Sequence, residues 1–242
     1  MGREPFLQLR NLFFPAKCVH CGTLVNIGEA LCDSCLDAYD EAKLRKCSKC
    51  HEYLCDCTCS GMFLRNRGIR RLRKVFFYSP AHKDTPENNL LYALKDRHSH
   101  NSVRFLAAEL ADVLRTEGDL SRYTITYVPA SRRRMVEKGF DHMKELAGAL
   151  SRELSIPYAR TLKNLKGFAT PQKELSREER IASAEGKYRC ILKPRKVQRR
   201  YILLDDICTT GATLASAAKA LKEGGASFVL CAVLASGRGP QV

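Results

Sequence analysis

Nine of the chain's twelve cysteines fall between Cys18 and Cys59, and their spacing limits what that stretch can become. Cys18-x2-Cys21 is followed ten residues later by Cys32-x2-Cys35. Each pair has the spacing of a thiolate knuckle, whose tight turn aims backbone amides at the sulfurs, and four such sulfurs close a tetrahedral zinc site. Gly22, directly after Cys21, suits the sharp turn. A redox pair or two disulfides is the competing reading, and the lack of a secretory signal favours metal. A second cluster, Cys47-x2-Cys50-His51 followed by Cys55, Cys57 and Cys59, offers more donors than one tetrahedral site uses. Cys47, Cys50, Cys57 and Cys59 are assigned as its ligands and Cys55 as the spare. His51 follows Cys50 directly and would point away from its sulfur, as a surface residue. Closed four-cysteine sites are structural, replacing the core that a piece of about 60 residues cannot build. Residues 1–60 therefore read as a small zinc-ribbon module and residues 61–242 as a second domain.

Beyond Ser60 the texture changes to alternating strand and helix. Val75-Phe76-Phe77-Tyr78, Thr124–Val128, Arg200–Leu204 and Phe228–Leu234 read as buried strands. Leu90–Leu94, Val103–Glu117, Lys144–Leu154 and Thr213–Glu223 read as helices, with Gly118 and Gly224-Gly225 as stops. Residues 160–200 are polar and basic with weak periodicity, a region expected to include a mobile loop. The alternation predicts an α/β domain with a parallel sheet covered by helices.

One segment carries chemistry. Tyr201-Ile202-Leu203-Leu204 runs into Asp205-Asp206, and Thr209-Thr210-Gly211-Ala212-Thr213 then opens a helix. Open α/β sheets bind ligands at the carboxyl ends of their strands. There a helix N-terminus presents unpaired N–H groups and a positive dipole end to phosphate. Gly211 permits close backbone approach, and Thr209, Thr210 and Thr213 add hydroxyl donors. Asp205 and Asp206 would repel phosphate but can accept hydrogen bonds from adjacent sugar hydroxyls. Together these residues describe a site for a ribose 5-phosphate. An ordinary strand–turn–helix is the bland alternative.

The same string resembles the phosphoribosyl-diphosphate (PRPP) motif of the type I phosphoribosyltransferases. More of the chain resembles one branch of them, the ComF-like competence-associated family, which joins a four-cysteine zinc finger to this domain. The resemblance is carried by Leu12-Phe13-Phe14-Pro15, the knuckles, Leu91–Lys95, Val128-Pro129, Lys138-Gly139-Phe140, Pro171-Gln172, Leu175-Ser176 and Arg180. The chain departs from it at Lys138-Gly139-Phe140-Asp141-His142, where the family usually reads Arg-Gly-Phe-Asn-Gln, and near Ser183, where an Asn is common.

The resemblance implies a type I phosphoribosyltransferase-like parallel sheet that binds PRPP with Mg²⁺. It also implies transfer of ribose 5-phosphate from diphosphate to a nitrogen acceptor that the sequence does not identify. Thr209–Thr213 would hold the 5-phosphate, and Asp205 and Asp206 the 2- and 3-hydroxyls. Ser131, Arg132, Arg133 and Arg134 would form the diphosphate loop, with Lys138 and Gly139 just beyond; a solvated triple arginine explains the run equally well. Lys95 either faces this site or is simply exposed. Gln172–Arg180 corresponds to the hood that covers the site, and its Glu174, Glu178, Glu179 and Arg180 suit a solvated helix with local charge pairs equally well.

Charge raises a second question. Lys+Arg 41 against Asp+Glu 26 leaves a net +15, more than one small ligand requires. The basic runs Arg65–Lys74 and Lys187–Arg200 suit a polyanion bound by counterion release. The family's association with DNA uptake during transformation points to single-stranded DNA and to other DNA-uptake proteins as partners. The competing reading is a non-catalytic zinc-ribbon regulator that binds nucleic acid and whose second domain is a relic. No apolar run is long enough to span a membrane, no signal peptide or myristoylation site opens the chain, and the expected location is the cytoplasm.

Overall fold

The computed structural model describes residues 15–78, 83–97, 99–165, 177–192 and 200–237. Leu12, Phe13, Phe14, Pro171, residues 172–176 of the expected hood and residues 193–199 of the second basic run lie outside the described residues. Strands β1 (Leu72–Tyr78), β2 (Tyr123–Tyr127), β5 (Arg200–Cys208) and β6 (Phe228–Gly237) form one sheet in the order β1-β6-β5-β2. Every pairing in it is parallel. The central strands bury Tyr201–Leu204 and Val229–Ala235 as near-continuous apolar runs, which is how strands covered on both faces read.

The helices supply those two covers. The first face carries α4 (His100–Arg115) and α6 (His142–Leu154). Leu106, Leu110, Leu114, Leu146 and Leu150 recur at helical spacing and pack there with Ile202 and Leu204. Ser99 caps α4 by accepting from Ser102 N–H at 3.2 Å, and Asp141 caps α6 by accepting from Met143 N–H at 3.1 Å. On the opposite face α8 (Ala212–Glu223) sets Leu214, Ala217 and Leu221 against Tyr201, Leu203 and Cys231.

Two differences from the sequence expectation matter for the site. Strand β5 does not stop at Leu204. Its pairing with β6 continues through Asp205 opposite Val233 to Cys208 opposite Ser236, so both acids belong to the strand. The weakly periodic stretch holds an antiparallel pair, β3 (Leu162–Asn164) with β4 (Tyr188–Cys190), and α7 (Arg177–Ala184) between the two strands in sequence. Three-residue strands are too short to show a period, which is why the pattern hid them.

The Cys-rich stretch is packed onto the sheet domain. Helix α1 (Asp33–Lys43) buries Tyr39 completely. Its ring meets Phe76 and Phe105 edge-on at centroid distances of 6.0 and 5.1 Å. The Tyr39 hydroxyl donates to Glu109 at 3.1 Å, and Lys43 pairs with the same carboxylate at 2.8 Å. Cys18, Ala30, Leu31 and Cys35 join the cluster that contains Leu90, Leu106 and Ile202.

The run Arg65–Lys74 is correspondingly not one basic surface. Arg73 and Lys74 each stand 2% exposed in β1. The Arg73 guanidinium donates to the carbonyls of Cys55 and, at 2.8 Å, Val113 and to the Thr116 hydroxyl at 2.7 Å, with Glu117 at 3.5 Å. Lys74 Nζ donates to the Cys59 carbonyl at 2.8 Å. A buried charge survives only when paired and hydrogen-bonded, and the second cysteine stretch, seated over the edge strand, supplies several of those acceptors. Arg65, Arg67, Arg70 and Arg71 are exposed, and Arg71 pairs with Glu117 at 2.9 Å. Among the described residues, no helix is long and apolar enough to cross a membrane.

Candidate ligand cradle and metal centres

At the carboxyl end of β5 the chain turns through Thr209 and Thr210 into α8. Gly211 precedes the helix in the left-handed region, at φ 82°. A Cβ there would lie 2.6 Å from Leu64 Cγ of α2 (Met62–Arg65), so only glycine fits both the turn and its neighbour. A cleft opens at this turn, lined by Asp205, Ile207, Cys208, the segment Thr209–Thr213 and Leu214. The first N–H groups of α8 lack intrahelical acceptors and face the turn. Ala212 N–H donates to the Thr210 hydroxyl at 3.3 Å, a local bond that a phosphate oxygen can replace. Hydroxyls, a helix start and a tight glycine turn in one cleft can hold a phosphoryl group.

The acids divide. Asp205 lines the cleft, with Oδ1 accepting from Asp206 N–H at 3.0 Å. Asp206 turns to the other face. Its Oδ2 receives Lys95 Nζ at 2.8 Å from α3 (Pro86–Asp96) and lies 3.1 Å from His142 Nε2 of α6, while its Oδ1 accepts from Ile207 N–H at 2.6 Å. Burial pushes the Asp205 carboxyl up to about 8, and the negative charge of Asp206 adds to it. Burial would also raise Asp206, but the Lys95 ammonium and then the His142 contact outweigh it and hold its carboxyl well below the usual carboxylate range. Tyr188 of β4 is buried nearby, its phenol pushed up by burial and then by the charges of Asp205 and Asp206.

The expected diphosphate residues stand at the start of a short helix after β2. Ser131 caps α5 (Arg132–Lys138) by accepting from Arg134 N–H at 3.2 Å. Arg132 is exposed, Arg133 pairs with Glu137 at 2.6 Å, Arg134 is half-buried, and Lys138 pairs with Asp96 at 3.1 Å. These residues follow β2, as expected, but in a short helix rather than an open loop. Gly139 ends that helix at φ 75°. His142 and Tyr188 were not singled out as site residues in the sequence. His142 does stand in the stretch where the chain departs from the family pattern, but the contact of either residue with β5 arises only through the tertiary fold.

The cysteines form two groups. In each, Cys18, Cys21, Cys32 and Cys35 or Cys47, Cys50, Cys57 and Cys59, the four sulfurs lie within 4.8 Å of one another. Cys21 and Cys32 Sγ are 3.5 Å apart, Cys50 and Cys57 Sγ 3.6 Å. A disulfide is about 2.05 Å, whereas sulfurs each about 2.3 Å from a tetrahedral zinc are separated by roughly 3.8 Å. Both groups fit that ion. The knuckles repeat one backbone turn: Gly22 N–H donates to Cys18 O at 3.1 Å, and His51 N–H to Cys47 O at 2.9 Å. His51 is exposed and takes the left-handed conformation, φ 61°, that Gly22 takes at φ 78°. The Cys47 thiol is lowered to about 7: burial raises it, but the amides of Cys50 and Lys49 aimed at its sulfur prevail. Cys55 turns to Asp56 at 3.5 Å instead.

The parallel α/β sheet carries its glycine-turned cradle at the carboxyl end of β5, the edge at which open α/β sheets take ligands. Residues 145–241 match the family model described as the phosphoribosyl transferase domain. No curated protein matches the chain. Among solved structures, the chain is similar to an allosteric regulatory enzyme of purine biosynthesis, at 18% identity and TM-score 0.36, over 54% of this chain and 25% of that one. It is similar to the glutamine PRPP amidotransferase of B. subtilis, at 18% identity and TM-score 0.35, over 54% and 25%. Adenine phosphoribosyltransferase of Leishmania tarentolae follows at 14% identity and TM-score 0.31, over 58% and 73%. The chain thus spans 25% of the length of each of the first two.

The raised Asp205 pKa has a signed consequence. Its protonated form is favoured by folding, so its contribution to stability is complete below the ordinary carboxylate value of about 4. That contribution is lost as pH rises toward about 8. Denaturant midpoints measured across this window should fall in the wild type and flatten in Asp205→Asn; an unchanged profile in the variant would contradict the assignment.

Proposed function

We propose that the protein binds PRPP with Mg²⁺, placing the 5-phosphate on Thr209–Thr213 and the ribose beside Asp205. The observation that carries this reading is the shared cleft, in which Asp205 and the turn into α8 line one space. The hydroxyls and single carboxylate there are too sparse a set to hold Mg²⁺ unaided and suit a ligand that brings the ion on its diphosphate oxygens and waters. When bound, Mg²⁺ neutralises diphosphate charge. The chain's own residues grip phosphate, orient the sugar and leave the anomeric carbon open to a nitrogen acceptor. Transfer would break the bond from that carbon to diphosphate and form one to nitrogen, positioning and electrostatics being the main contributions. Calorimetry at about pH 9, where the Asp205 carboxyl is ionised, should find saturable PRPP binding in the presence of Mg²⁺, with Asp205→Ala lowering affinity about tenfold or more, as expected for a lost hydrogen bond to a charged group. A wild type that does not bind would overturn the proposal. Diphosphate release over a panel of bases and amines separates transfer from binding alone.

The two cysteine groups are proposed to hold structural zinc. Native mass spectrometry should count two zinc ions per chain, one for each group. Cys57→Ser should lose one and keep the other, whereas zinc-free protein would end the reading.

A second activity is favoured by the exposed Arg65, Arg67 and Arg70 and the net +15. Single-stranded DNA would lie along these cations, as suits a protein of DNA uptake. Replacing the three by Gln should flatten the salt dependence of DNA binding by up to about 0.7 in log–log slope per lost contact. An unaltered slope would place DNA elsewhere.

A further inference from the structure

Asp205 and Asp206 are neighbours in sequence but not equivalents in the fold. Because β5 remains extended through Cys208, its side chains alternate between the faces of the sheet. Tyr201 and Leu203 point to the α8 side, Ile202 and Leu204 to the α4 and α6 side. Asp205 continues the first series and reaches the cleft. Asp206 continues the second and meets Lys95 and His142.

The contacts of Asp206 are almost complete. A carboxylate has about four acceptor positions. Lys95 and His142 converge on Oδ2, and the Ile207 amide takes Oδ1. The three side chains are largely enclosed, at 15% exposure for Asp206, 17% for Lys95 and 5% for His142. Little capacity remains for a sugar diol. The same residue acts on its neighbour, because the Asp206 amide donates to Asp205 Oδ1 and so holds a carboxyl that lines the cleft. His142 itself is held at the start of α6 beside Asp141, whose carboxylate caps the helix and also accepts from Ala130 N–H at 3.5 Å.

Resting on the ribose 5-phosphate reading above, we infer that Lys95 and His142 are positioning residues that clamp Asp206 as an anchor, leaving Asp205 as the one acid presented to the sugar. The pair then reads a hydroxyl through a single oriented carboxyl rather than by two acids side by side.

Two probes, ribose 5-phosphate and inorganic phosphate, test this on the full chain by calorimetry. At about pH 9, with the Asp205 carboxyl ionised, Asp205→Asn should weaken ribose 5-phosphate roughly tenfold, the scale of one charge-assisted hydrogen bond, and leave inorganic phosphate unchanged. His142→Leu should produce a similar selective loss, and His142→Gln, which retains an N–H donor, should recover most of it. In the Asp205→Asn background His142→Leu should add nothing further, because it acts through Asp205. Additive losses, or tighter sugar binding once His142→Leu frees Asp206, would overturn the clamp. A ligand-free arm follows hydrogen exchange at the Asp206 amide. It should be protected in the wild type and His142→Gln and exchange faster in His142→Leu, while amides of β6 stay unchanged as a fold control. A wild type that binds neither probe defeats the ribose 5-phosphate reading, and equal Asp206 protection in all three proteins defeats the clamp.

Discussion

Parallel pairing obliges neighbouring strands to run toward the same edge of the sheet. In this protein β5 keeps its pairing with β6 four residues past the apolar run, to Cys208. That continuation determines the geometry of the cradle. It holds Asp205 and Asp206 in an extended backbone, so they face opposite layers, and it delivers the Thr209–Thr213 turn to the sheet edge where α8 begins. A strand ending at Leu204 would have left both acids in a loop, free to turn to one side.

The cysteine-rich stretch is joined to this edge by more than the chain. Tyr39 is inserted between Phe76 and Phe105, Arg73 and Lys74 reach from the edge strand to the carbonyls of Cys55 and Cys59, and Leu64 rests against Gly211. Ser60, buried between them, donates to the Ile69 carbonyl at 2.8 Å. The Leu64 contact puts a side chain from the segment after the second cysteine group directly on the cradle turn. The sulfur groups and the ligand cleft are thus parts of one packed arrangement.

Much of this was legible from local sequence, and the limits are instructive. Cysteine spacing is a short-range covalent constraint, so the two groups and the odd position of Cys55 could be read from it. The string from Tyr201 to Leu214 likewise encodes strand, turn and helix within a few residues. His142 and Asp206, in contrast, are 64 residues apart in sequence, and only the packing of α6 on the sheet joins them. The β3–β4 pair depends on the same long-range closure. Charge was the most misleading signal: Arg73 and Lys74 look like surface cations in the sequence, but carbonyl oxygens from distant turns line their burial sites. A knuckle that needs a left-handed residue was easy to see at Gly22 and hidden at His51, whose side chain gives no hint of the backbone beneath it.

Lys74 gives this architecture a built-in reporter. Its amine is shut away beneath the backbone of Cys59 and is therefore shielded from acylating reagents while that turn keeps its shape. Opening of the turn would unmask it, so the mass tag gained at one lysine would record how often the sulfur-lined edge of the protein breathes.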